Sequence, residues 1–215
     1  MMDVYAHERQ YRGVAALARL AAARVTLCGG GALGSLLADN LVRQGLRCLT
    51  VIDDDRVEAH NAGTQLYGQN DVGAFKAEVL RAHCFRAAKV EVRAITKRLE
   101  AATVGKFLRE ADLVVDAFDN SASRRLVADY CRAAEVAGLH LGLNADFGEV
   151  CWNEVYRVPG DANLGNACDY PLARNLILLV VAAGSEAILR YLLEGRKENY
   201  SVTLRDLRIN AETDG

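Results

Sequence analysis

The sequence predicts an α/β fold, a Rossmann-like doubly wound and mostly parallel sheet with helices on both faces and antiparallel strands towards the C-terminus. Three observations predict it. Apolar runs of strand type alternate with stretches of helical apolar spacing through most of the chain. One strand, residues 25–28, runs into a G-x-G-x-x-G turn formed by Gly29, Gly31 and Gly34 that opens directly into a helix. A later strand, around Leu113-Val114-Val115, is almost continuously apolar, as in a parallel sheet covered on both faces.

Composition bounds the rest. With 215 residues, 51% hydrophobic and 25% charged, the chain has the makings of one sizeable core, so a single domain spanning 1–215 is expected. A formal net charge of −2 offers no general attraction to nucleic acid or to an anionic membrane, and neither partner is expected. The six cysteines include no C-x-x-C pair, which fits a reduced, cytoplasmic protein without structural zinc. No signal segment is evident at the start, and the longest apolar run, residues 176–184, is too short to span a bilayer.

In chain order, residues 1–23 turn from polar to alanine-rich and read as an N-terminal helical arm containing Arg9. In the glycine turn, Gly29 and Gly31 allow the backbone a tight bend and close approach to a phosphate, and Gly34 allows the helix to sit close on the strand. Free N–H groups of the first helical turn then face the anion. Residues 49–52 form a second strand, and Asp53 follows about 20 residues past the last glycine, where a ribose-binding carboxylate belongs. Residues 54–65 are polar and irregular, a loop with one helical turn at most.

Asp71 is an N-cap candidate for a helix that carries Lys76 in its first turns, where a cation is disfavoured unless it serves an anion. A strand over 90–95 and a short helix over 103–110 lead to the apolar strand at 112–117, and Asp119 stands at its carboxyl edge as a magnesium-ligand candidate or a helix cap. A helix over 121–137, strands over 139–144 and 150–158, and a Gly/Asn/Asp-rich loop bracketed by Pro159 and Pro171 follow. A long, mostly apolar helix over 172–193 and a strand over 200–209 complete the reading.

Together the glycine turn, the segment from Leu49 to Val57, Asn61 to Gln65, Asp71 to Lys76, and Asp119-Asn120 through Arg124 resemble the ThiF/MoeB/HesA family, bacterial relatives of ubiquitin-activating E1 enzymes. The resemblance implies ATP and Mg2+ binding and adenylation of a carboxylate, most often the C-terminal glycine of a ubiquitin-like or sulfur-carrier protein ending in Gly-Gly. By position it implies that Asp53 holds the ribose, that Asp55, Asn61 and Gln65 line the nucleotide, that Lys76 steadies the phosphates, and that Asp119 binds magnesium. Arg9-Gln10 matches the family's N-terminal Arg-Gln, whose arginine reaches the partner subunit's triphosphate, so a homodimer is implied. The loop over 159–171 matches the family's crossover loop.

The chain also departs from the pattern. Thr64 stands where the family carries an arginine, leaving Arg56 or Arg124 as replacement cations, and Cys168 is the one candidate for a thioester-forming or sulfur-accepting thiol. Alternative functions are an NAD(P)-dependent oxidoreductase, which also uses a glycine turn and Asp53, a nucleotide-binding partner without turnover, or a tRNA-modifying relative that activates a small carboxylate.

Overall fold

A computed structural model describes residues 3–160, 172–207 and 209–212. Strands β1 (Arg24–Cys28), β2 (Cys48–Ile52), β3 (Arg93–Ile95), β4 (Leu113–Asp116) and β5 (Ala137–Asn144) are parallel to one another. Strands β6 (Phe147–Trp152), β7 (Asn199–Thr203) and β8 (Ile209–Glu212) extend the sheet antiparallel. The order is β3-β2-β1-β4-β5-β6-β7-β8. The chain winds outward from β1 in one direction, then returns to β4 and winds the other way, so β1 and β4 flank the crevice where open α/β sheets take their ligands.

Helices α1 (Ala6–Arg12), α2 (Val14–Ala22), α3 (Ala32–Arg43), α4 (Lys76–Ala88), α5 (Val104–Leu108), α6 (Ser121–Ala133) and α7 (Arg174–Glu194) cover the sheet. The two-residue period of the strands sorts the core. Val25, Leu27, Leu113 and Val115 join one cluster with Leu37 and Leu41 of α3, Leu80 of α4 and Ile177 and Val180 of α7. Cys28 and Val114 point the other way, into a smaller cluster with Phe107 and Leu108 of α5 and Val127 of α6. By length and composition α7 is apolar enough to cross a membrane, a property the 176–184 run did not suggest. Here it packs as a core helix on α3 and the C-terminal strands, with Asn40 Nδ2 donating to Ser185 Oγ at 2.7 Å.

Several boundaries differ from the sequence reading, each with a local cause. The N-terminal arm is two helices broken at Gly13, which has φ of +88°. Helix α4 starts at Lys76, not near Asp71, because Gly73 at φ +89° interrupts the path and Asp71 instead accepts from Gly68 N at 2.8 Å. Helix α6 ends at Ala133 and Glu135 turns at φ +54°, so β5 begins early. A tight hairpin with Ala145 at φ +54° pairs Asn144 with Phe147 and starts β6 before residue 150. The strand expected over 200–209 is divided into β7 and β8, which pair with each other.

Candidate functional site

The glycine turn at the end of β1 is held by backbone contacts that only glycine permits. Gly29 has φ of +96°, and a Cβ there would lie 2.9 Å from the Ala117 carbonyl carbon in the β4–α6 loop. A Cβ on Gly34 would come within 1.9 Å of the Gly29 carbonyl oxygen, so α3 closes on the turn only with glycine at that position. Gly31 differs, since a Cβ there meets no protein atom within 4 Å and its face opens outward.

Asp53, one residue past β2, reaches across to this turn. Its carboxylate accepts from Gly30 N at 2.6 Å and from Asp55 N at 2.9 Å, and the side chain is buried. Burial raises its pKa to about 6, against which the Gly30 N–H and the charge of Lys76 pull downward. Each carboxylate oxygen keeps a further lone pair. Tyr67, which the sequence reading passed over, donates its hydroxyl to the Gly30 carbonyl at 2.6 Å and is itself buried. Burial pushes that phenol well above its usual range, so it stays a donor.

Lys76 is the first residue of α4, and its Nζ lies 2.8 Å from Asp55 Oδ2. The anion that offsets a cation at this helix N-terminus is therefore Asp55, within the chain. Asn61 is buried and caps a 3-10 turn (Ala59–Gly63) by accepting from Glu58 N at 2.8 Å. Gln65 follows that turn, and its buried Oε1 finds no hydrogen-bond donor among the described residues. Leu66 N donates to Ser35 Oγ at 3.1 Å, which fastens the whole segment to the first turns of α3.

The two replacement cations considered for Thr64 are both engaged elsewhere. Arg56 lies over the Phe75 ring at 3.9 Å from its centroid and donates to Gly73 O at 2.6 Å. The buried Arg124 guanidinium donates to Tyr156 Oη and to Leu141 O, both at 2.8 Å, and stands 3.9 Å from Asp116. It belongs to a network behind the site that strand patterning alone did not reveal. His140 places Nδ1 2.8 Å from Asp116 Oδ2 and Nε2 2.8 Å from Asn153 Oδ1, and its ring stacks on Tyr156 at 3.8 Å. Two polar residues inside apolar strands, Asp116 and His140, were the available signal that such a pair exists.

Asp116 Oδ1 accepts from Phe118 N at 3.0 Å and so shapes the β4–α6 loop. That loop carries Asp119, exposed beyond the end of β4, while Asn120 caps α6 by accepting from Ser123 N at 2.9 Å. Among the described residues no group of three or more His, Cys, Asp or Glu side chains could hold a metal by itself. Arg9 is not brought to this site in its own chain. On α1 it pairs with Asp3, which precedes the helix, at 2.7 Å, and α1 is anchored by Arg12 to Glu186. Glu186 lies twelve residues along α7 from Arg174, the residue that touches the 3-10 turn at Gly63, a span of about 18 Å at 1.5 Å per residue. Cys168 lies outside the described residues, as does most of the crossover loop.

Comparison with known proteins bears on the family and the fold. Residues 7–161 match the ThiF family. Among curated relatives, the SAMP-activating enzyme E1 of Haloferax volcanii is 35% identical over 124 residues, 57% of this chain and 46% of that protein. The sulfur carrier protein adenylyltransferase of Thermus thermophilus is 40% identical over 113 residues, 52% of this chain and 42% of that protein. The chain thus spans less than half the length of these curated relatives. Among solved structures, E. coli MccB with ATP superposes with a TM-score of 0.82 over all of this chain and 72% of that one, at 18% identity. Since the family match runs from α1 past β6, over more than half of the chain, the chain belongs to the ThiF family.

Proposed function

We propose that the protein is an ATP-dependent adenylyltransferase that joins AMP to a carboxylate and releases pyrophosphate. The substrate we assign is the C-terminal glycine of a ubiquitin-like or sulfur-carrier protein. The observation that carries this reading is the convergence of Asp53, Lys76 and the open face of Gly31 on one turn at the switch point of the sheet. The names of the relatives in Haloferax and Thermus support the substrate class.

In this reading the ribose hydroxyls donate to the spare lone pairs of Asp53, and the N–H groups opening α3 face the phosphates. The Gln65 acceptor, without a described partner, suits a donor on the nucleotide. An attacking carboxylate is already ionised at neutral pH, so no side chain is required as a base. A new bond forms between a carboxylate oxygen and the α-phosphorus as the bond to the bridging oxygen of pyrophosphate breaks. What the protein contributes is alignment and relief of charge repulsion between two anions. Magnesium fits as an ion held chiefly by the nucleotide with one protein carboxylate, Asp119, the arrangement common for this cation. When bound it supplies positive charge to the polyphosphate; we propose no zinc beside it.

We further propose a homodimer. Arg9 lies on α1, which Arg12 fastens to Glu186, about 18 Å along α7 from Arg174, so service to a nucleotide would be to that of a second copy. The test of the whole reading is ATP–pyrophosphate exchange with and without a small protein ending in Gly-Gly. Exchange that depends on that protein is expected. Stronger thermal stabilisation by NAD than by ATP with magnesium, and no exchange, would favour the oxidoreductase instead.

A further inference from the structure

The inference rests on the ATP-dependent reading and concerns a residue not yet given a role in it. Charge at the described site opposes a polyphosphate. Asp53, Asp55 and Asp119 stand around the turn with one lysine, Lys76, whose Nζ is already 2.8 Å from Asp55. Arg56 is laid on Phe75 and Arg124 is enclosed in the core network. Thr64 adds no charge. Another cation of the same chain is needed to make the site attractive to several phosphates.

Arg174 is placed to be that cation. It is the first residue of α7, exposed, and its Nη1 donates to the Gly63 carbonyl at 3.2 Å. Gly63 ends the 3-10 turn immediately before Thr64. Three residues on, Leu66 N donates to Ser35 Oγ at 3.1 Å, and Ser35 N donates to Gly31 O at 2.9 Å, so the segment that Arg174 touches is fastened to the glycine turn. A carbonyl uses only part of a guanidinium, whose planar fork carries five N–H donors.

Helix electrostatics give an independent reason. A positive side chain at the first position of a helix opposes the helix dipole, and the first turn of α7 contains no acidic residue to relieve it. Lys76 holds the same position in α4, and there Asp55 supplies the anion. At Arg174 a bound phosphate would take that part.

We infer that Arg174 is a phosphate-binding residue of the nucleotide site, contributing from α7 the positive charge that Thr64 lacks. The test compares the whole chain with Arg174→Ala and Arg174→Lys, measuring binding of ATP with magnesium and of adenosine by calorimetry, together with ATP–pyrophosphate exchange. Arg174→Ala should weaken ATP binding roughly 10- to 100-fold, the range for a hydrogen-bonded charge. Adenosine binding should stay within about twofold of the original, and Arg174→Lys should recover part of the loss, since it keeps charge without the fork. Unchanged ATP affinity in Arg174→Ala overturns the inference. Equal losses for ATP and adenosine also overturn it, because Arg174 would then act only by holding the Gly63 turn. Failure of the unsubstituted protein to bind ATP more tightly than adenosine, with no exchange, overturns the adenylylation reading along with it and is visible without any variant.

Discussion

β2 and β4 lie on either side of β1, and each delivers a buried aspartate to the same edge of the sheet, Asp53 just past β2 and Asp116 at the end of β4. Among the described residues Asp53 takes its hydrogen bonds from backbone N–H groups, of Gly30 and Asp55, and faces the glycine turn. Asp116 is consumed within the protein by His140 and Phe118 N, with the Arg124 guanidinium beside it. The same residue type at these strand ends is thus, on the proposed function, a ligand-facing acceptor in one case and a scaffold in the other. What separates them is the partner set: the backbone donors on Asp53 leave lone pairs over, whereas the buried Arg124 guanidinium and His140 imidazole take up the Asp116 carboxylate.

The largest expected effect tests the scaffold side. Asp116→Ala leaves Arg124 and His140 buried without their carboxylate, a change that costs about 3–5 kcal/mol of stability in comparable buried pairs. Urea denaturation at neutral pH checks it, and a loss under about 1 kcal/mol would erase the contrast with Asp53. On the ligand side, Asp53→Ala should weaken adenosine binding by about 1.5–3 kcal/mol, read by calorimetry, because a charged acceptor for the ribose is gone. Equal weakening by Asp116→Asn in a folded protein would show that the two carboxylates are not divided in this way.

The smallest effect is in pH. Burial raises the Asp53 pKa from 3.8 to about 6, so adenosine binding should fall by about tenfold per unit as pH drops below about 6. Adenosine has no phosphate to titrate in that range, which isolates the carboxylate. Stability has the opposite sense. The folded state holds this proton more tightly than the unfolded chain, so the contribution of Asp53 to stability is fully present below about 3.8 and is lost as pH rises through about 6. Asp53→Asn should flatten that part of the stability profile in urea titrations between pH 4 and 7. An unchanged slope would mean that other groups set it.

How much of this was legible depended on whether a residue's partner is near in sequence. The glycine turn, Asp53 and the parallel core could be read because local spacing specifies them. Gly34 packs on Gly29 five residues away, and Asp53 follows its strand directly. The Asp116–His140–Asn153 chain could not be read, because its members come from β4, β5 and the segment after β6 and meet only when register aligns Asp116 with His140. The contacts of Arg124 were hidden for the same reason: its sequence position near Asp119 does not show a side chain directed to Leu141 and Tyr156 in the core. The early end of α6 and the late start of α4 turn on positive φ at Glu135 and Gly73, which apolar periodicity does not register.

Gly30 is bound at both poles of its backbone, its N–H by Asp53 and its carbonyl by Tyr67. A glycine-rich segment left free would lose much conformational freedom on meeting a ligand, of order 1–2 kcal/mol for each residue fixed. Here that freedom is surrendered when the chain folds, so the loss is charged to folding stability and not to affinity. Association with a nucleotide should therefore proceed as a single kinetic phase, its rate set by encounter and not by a slow rearrangement of the turn.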